Sequence, residues 1–326
     1  MSVMVSSFEI AEALAPTANT QHAPDMPATK PPSLLDRALG GIERMICELY
    51  ESEDLAARIS LLENEIELLR KRDQLLSRQM ARHDEEQRLA ARIQQDFLPK
   101  QLPTVGTVRF QTIYRPAQYV SGDLYDIKRL DETHVGVYLA DAVGHGTPAA
   151  LLTMFMKNAL ATKQITASGY RLLEPSETLA ALNASLRGQD LAHASFATAL
   201  YARIDTQKME VCLARAGHPS PILIAADGSV TEPGADGPLL GVFDDAEFTQ
   251  ICFPIHSGDR LLFYTDGVET AFPRNDQPCP ETWKRELQEL SGRPTAELLE
   301  AFRHAIENNS IATQKDDLTM IVAEVG

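Results

Sequence analysis

Leu139-Ala-Asp-Ala-Val-Gly-His-Gly-Thr-Pro-Ala-Ala-Leu-Leu152 constrains the fold of this chain more than any other stretch. The apolar run His134-Val-Gly-Val-Tyr-Leu-Ala140 reads as a buried strand that delivers a carboxylate, Asp141. A loop with Gly144 and Gly146 follows. The chain then enters a helix, with Thr147 expected as its N-cap and Pro148 at its first position. A strand-borne aspartate followed by a permissive loop suits a hard cation: the strand fixes the carboxylate, and the glycines let carbonyls and water approach.

The flanking segments are short strands joined by tight turns. Val108–Tyr114, Tyr119–Leu130 and the Asp141 strand read as antiparallel neighbours, and Phe196–Ile204 with Met209–Arg215 as a further hairpin. Strands are expected at 221–224, 248–254, 260–264 and 318–324, and helices at 148–162, 175–186, 281–290 and 295–308. Hairpins interrupted by helix pairs indicate an α+β architecture, not a doubly wound parallel sheet.

The first part of the chain differs in texture. Residues 1–33 are rich in proline and read as a tail or linker, with room for a short helix near Phe8–Leu14. Residues 34–92 read as a helical coiled-coil segment for dimerisation and regulation. Leu55, Ile59, Leu62, Ile66, Leu69, Asp73, Leu76 and Met80 recur at 3.5-residue spacing. An earlier stripe from Leu35 to Leu49 is out of phase with it, so the helix is expected to break or stutter near Tyr50–Asp54. Pro99 and Pro103 close the helical region, and residues 93–326 form the expected catalytic domain.

Net charge is −16, which argues against nucleic acid as a partner. Cys47, Cys212, Cys252 and Cys279 show no metal-ligand or redox spacing, so reduced thiols are expected. With no signal-peptide pattern and no apolar run of membrane-spanning length, a soluble cytoplasmic protein away from membranes is expected.

Asp123, Asp141, Asp266 and Asp316 each border an apolar run. Strands ending this way would bring the carboxylates to one edge of a core, where they would repel one another unless cations offset their charge. All-oxygen donors favour Mg²⁺ or Mn²⁺ over Zn²⁺. Taken singly, each aspartate fits a turn, and Asp317 stands beside Asp316 as an alternative.

Six stretches together resemble the bacterial SpoIIE/RsbU branch of the PPM (protein phosphatase 2C-like) metal-dependent serine/threonine phosphatases. They are Ile93-Gln-Gln-Asp-Phe-Leu-Pro-Lys-Gln-Leu-Pro103, Val120-Ser-Gly-Asp-Leu-Tyr-Asp126, Asp141–Leu152, Ala214-Arg-Ala-Gly-His-Pro-Ser-Pro221, Leu262-Phe-Tyr-Thr-Asp-Gly-Val-Glu-Thr270 and Asp316-Asp-Leu-Thr-Met-Ile-Val322. The resemblance implies an α-β-β-α sandwich holding two Mn²⁺ or Mg²⁺ ions. Asp123, Asp141, Asp266, Asp316 and the carbonyl of Ala142 are the implied ligands. It also implies hydrolysis of phosphoserine or phosphothreonine on a regulatory protein of the anti-sigma factor antagonist type. The heptad stripe before it leads us to expect a homodimer through the coiled coil, with an upstream sensor or activator acting on it. Ser121 and Arg215 depart from the pattern, where the branch often has Gly and Asn. Arg215 could meet the substrate phosphate or pair with a surface acid, and His218 could be structural or a general acid. An inactive coiled-coil adaptor that retains the fold and a hydrolase of small phosphate esters are the alternatives.

Overall fold

The computed structural model describes residues 34–167, 169–189, 196–270, 280–309 and 316–326. The expected tail therefore lies outside the described residues. The chain divides into two units, residues 1–76 and 77–326.

Helix α1 (Leu34–Phe97) is continuous, so of the two alternatives near Tyr50 the break is excluded and the change of phase occurs within one helix. Out-of-phase apolar stripes shift the helix face that carries them, but no proline or glycine sits at the junction to stop the backbone hydrogen bonds. In the first unit the later stripe stays in solvent: Leu55, Ile59, Leu62, Ile66, Leu69 and Leu76 are all exposed.

The second unit builds two sheets. The strands are β1 (Val108–Arg115), β2 (Asp123–Arg129), β3 (His134–Ala142), β4 (Lys163–Thr166), β5 (Gly169–Leu172), β6 (Ala197–Asp205), β7 (Glu210–Ala216), β8 (Ile222–Ile224), β9 (Val230–Thr231), β10 (Gln250–Pro254), β11 (Arg260–Tyr264) and β12 (Leu318–Val325). One sheet runs β1-β12-β11-β8-β9 and the other β10-β7-β6-β3-β2, while β4 and β5 form a separate hairpin. Every pairing within these sheets is antiparallel. The remaining helices are α2 (Thr147–Ala159), α3 (Pro175–Arg187), α4 (Gly267–Thr270), α5 (Pro280–Leu290) and α6 (Thr295–Asn309).

Side-chain alternation produces three apolar layers. Val135, Val137 and Leu139 of β3 join Leu261 and Phe263 of β11 and Ile321 and Ala323 of β12 between the sheets. Tyr138 and Ala140 point the other way, against Met156 of α2 and Leu179 and Leu182 of α3. Leu262, Tyr264, Met320 and Val322 face Trp283 of α5 and Phe302 of α6. The central strands are thus apolar on both faces, which is why they read as continuous runs, and the result is an α-β-β-α sandwich.

Two local expectations are corrected. Gly146, not Thr147, is the N-cap of α2, and it sits at φ 76°, where a side chain would be strained. Thr147 lies inside the helix, and its hydroxyl donates to Gln87 of α1 at 3.3 Å. Cys212 and Cys252, expected as separate reduced thiols, are register partners on β7 and β10 and form a disulfide. Their separation of 40 residues conceals a cross-strand contact that only the register supplies.

Candidate active site

Asp123 opens β2 and is the register partner of Asp141 near the end of β3. Both share the strand parity of the residues that line the inter-sheet layer, Tyr125 and Ile127 on β2 and Val137 and Leu139 on β3. The two carboxylates therefore continue that layer beyond its apolar part. The opposite sheet contributes Asp266 just past β11 and Asp316 just before β12, both exposed. The structure brings the four aspartates to one end of the sandwich.

Their mutual charge shows in their acidities. Burial, then the charges of Asp266, Asp316 and Asp317, push Asp141 up to about 7. Burial and Asp266 also raise Asp316. Asp123, only 1% exposed, is raised well above the ordinary carboxylate range by burial and then by Asp141. Such a set is short of positive charge, and its donors are all oxygen, so the residues present fit hard divalent cations.

Asp123 is tied across the sandwich. Its Oδ2 accepts hydrogen bonds from Thr265 Oγ1 and Thr319 Oγ1, each at 2.7 Å. Thr265 follows β11, and Thr319 lies in β12, so one carboxylate oxygen joins both sheets while the other is left for a ligand. The sequence reading did not single out these threonines. Their signal was present: each is a hydroxyl at the parity of the inter-sheet layer, one beside Asp266 and one three residues after Asp316.

Asp317 does a different job from Asp316. Its carboxylate accepts from the Ala117 amide at 2.7 Å and the Gly122 amide at 2.6 Å. It is buried and fastens the start of β12 to the turn before Asp123. Gly267 holds the third aspartate in place by close approach: an added Cβ would lie 1.8 Å from the Asp317 carbonyl oxygen. The Asp266-Gly267 pair is therefore more than a turn dipeptide; only a residue without a side chain lets the backbone at 267 pack this closely on that of Asp317. The Ala142 carbonyl oxygen lies beside Gly122, within the same group of loops.

Gln94 was also missed. It is buried in the last turns of α1, and its amide makes two bonds to Ser121: Nε2 donates to the carbonyl at 2.7 Å and Oε1 accepts from the amide at 2.9 Å. Tyr119 donates its hydroxyl to Asp84 of the same helix. Lys157 of α2 pairs with Asp126 at 3.2 Å and donates to the Phe97 carbonyl.

Arg215 and His218 are both held by neighbouring groups. The Arg215 guanidinium donates to the carbonyls of Ala235, at 2.8 Å, and of His218, and it stands 3.6 Å from the exposed Asp236. His218 is buried, shares a 2.8 Å hydrogen bond between Nδ1 and Thr198 Oγ1, and is pushed down to about 3 chiefly by burial. It stays neutral at physiological pH, and it braces Thr198, the register partner of Asp141.

An all-antiparallel sandwich with a carboxylate cluster at one end defines a phosphatase domain of the PP2C type. The chain belongs to the SpoIIE family, whose model, described as Stage II sporulation protein E (SpoIIE), matches residues 131–326. Among characterised relatives, the chain is 29% identical over 243 residues to the phosphoserine phosphatase RsbP of Bacillus subtilis, covering 73% of this chain and 57% of RsbP. It is 26% identical over 235 residues to the phosphoserine phosphatase RsbU of the same organism, covering 72% of this chain and 68% of RsbU. The SiaA-PP2C domain of Pseudomonas aeruginosa superposes with a TM-score of 0.66 at 24% identity, covering 76% of this chain and 98% of that domain. The chain thus spans little more than half the length of RsbP.

Proposed function

We propose that this protein is a metal-dependent phosphoprotein phosphatase that hydrolyses phosphoserine or phosphothreonine on a regulatory protein of the anti-sigma factor antagonist type. One observation carries the reading: Asp123, Asp141, Asp266 and Asp316 meet at one end of the sandwich with oxygen donors only, and Asp123, Asp141 and Asp316 keep their protons above the ordinary carboxylate range. These four and the Ala142 carbonyl would hold two Mn²⁺ or Mg²⁺ ions. Bound there, such ions supply charge neutralisation for the phosphoryl group and a water acidic enough to attack near neutral pH. The chain's own part is placement. Thr265 and Thr319 aim Asp123, Asp317 fixes the turn before it, and Gly267 keeps Asp266 against Asp317.

Control would pass through α1, the regulatory segment. Gln94, Gln87 and Asp84 bond to the loops at Ser121, Thr147 and Tyr119, which flank Asp123 and Asp141. The exposed stripe from Leu55 to Leu76 suits a second copy of the chain in a coiled-coil homodimer, and an upstream sensor or activator protein would act on it. In this reading residues 34–92 are the regulatory segment and residues 93–326 the phosphatase domain. No described helix is long and apolar enough to cross a membrane, and a cytoplasmic location belongs to the proposal. Fractionation of cells tests that location; recovery of the protein outside the cytoplasmic fraction contradicts it.

Calorimetry with Mn²⁺ tests the metal reading. The native chain should bind, and Asp266→Asn should weaken binding by about tenfold or more. Equal affinity in both would remove Asp266 from the ligand set. A chain starting at residue 77 should keep its metal and lose dimerisation; a dimer that survives would contradict the coiled-coil assignment.

A further inference from the structure

A pocket of about 380 Å³ opens directly beside the aspartate cluster and shares Asp141 and Asp266 with it. Its far side is formed by Glu232, Tyr264, Glu269 and Lys284. Glu232 grips the Lys284 ammonium with both oxygens at 2.8 Å. Glu269 is half-buried, and its carboxylate has no hydrogen bond or contact ion pair among the described residues. Burial raises its pKa, Lys284 opposes this, and Asp266 and Glu232 add to it. Tyr264 is only 3% exposed, yet its hydroxyl has no hydrogen-bond partner among the described residues.

Two carboxylates thus face one ammonium in a partly enclosed space, beside an unused phenol. That wall lacks one positive charge and several hydrogen-bond donors. We infer that the pocket is a subsite for a cationic side chain, arginine above all, lying near the phosphorylated residue of the protein substrate. This deepens the phosphatase reading and rests on it. Because the pocket shares Asp141 and Asp266 with the cluster, a group entering it belongs to the ligand whose phosphoryl group sits there. A guanidinium offers five N–H donors in a planar fork, enough for Glu269, the free face of Glu232 and the Tyr264 oxygen together. Lys284 is the internal competitor that holds Glu232 while the subsite is empty.

The test uses phosphoserine peptides carrying arginine, or glutamate, in turn at each of three positions on either side of the phosphoserine. At the best position, kcat/KM for arginine should exceed that for glutamate about tenfold. Glu269→Gln should shrink this ratio to about twofold, Glu269→Lys should invert it, and Lys284→Met should widen it. A ratio near one at every position in the native protein, or one that survives both Glu269 variants, overturns the proposal. So does Glu269→Gln weakening Mn²⁺ binding while leaving the peptide ratio intact, since Glu269 would then serve the metal. Absence of phosphate release from any peptide would overturn the phosphatase reading instead. Fluorescence anisotropy of labelled peptides then decides the subsite: tighter binding of the arginine peptide upholds it, and equal binding removes it.

Discussion

The two ends of the inter-sheet layer are built on the same strands and at the same side-chain parity, yet they follow different rules. In the middle, Val137, Leu139, Phe263 and Ile321 meet as apolar groups, and complementarity of shape is enough. Two residues further along β3 and β11, the same face carries Asp141 and Thr265, with Asp123 and Thr319 beside them. There every contact is a hydrogen bond or a repulsion. The strands extend a periodic scaffold past the apolar core and use its rigidity to hold carboxylates that would otherwise separate. Strain at the polar end is tolerable because the apolar end is large.

Three substitutions or conditions sharpen that contrast. Leu139→Ala, in the apolar part, should cost about 2–5 kcal/mol in a denaturant titration. Mn²⁺ affinity should survive wherever the variant is folded; a large loss of affinity would show that the two ends are not separable. Thr265→Val should have a smaller effect on stability, about 1–3 kcal/mol, because it leaves Asp123 short of a donor. Unlike Leu139→Ala, it should also weaken Mn²⁺ binding, and unchanged binding would reduce the threonine to a packing role.

The smallest effect is a pH dependence visible only in chelator. Asp141 sits near 7 when folded, above its ordinary value, so the folded state favours its protonated form. Below about pH 4 both folded and unfolded chains are protonated there, and stability is unaffected. As pH rises toward 7 the unfolded chain gains by ionising and the folded chain does not. Stability of the metal-free protein should therefore fall over that window, by about 1 kcal/mol after solvent screening, and then level off. Saturating Mn²⁺ should abolish the fall. A stability that rises over the same window would contradict the repulsion described for the cluster.

The strands were legible because both faces of β3, β11 and β12 are buried, which writes long apolar runs into the sequence. The four aspartates were legible as positions, since each interrupts or borders such a run. The partners that hold them were not. Thr265 and Thr319 look like ordinary β-residues until the sheets are stacked, and Gln94 looks like one polar helix position among many. Gly267 reads as a turn residue; its need to touch Asp317 is a tertiary fact. The β4–β5 hairpin escaped notice because its short strands are almost wholly exposed and carry no burial pattern. The sequence left break and stutter open near Tyr50, because periodicity reports which face is apolar, not whether the backbone breaks.

The central claim is that carboxylates from two sheets form one metal-dependent phosphatase site. Phosphate release from a phosphoserine protein, measured with Mn²⁺ and with chelator for the native chain and Asp141→Asn, tests it most directly. The account predicts turnover with Mn²⁺, none with chelator, and a loss of about a hundredfold or more in the variant. Turnover that persists in chelator, or that Asp141→Asn leaves intact, would contradict it.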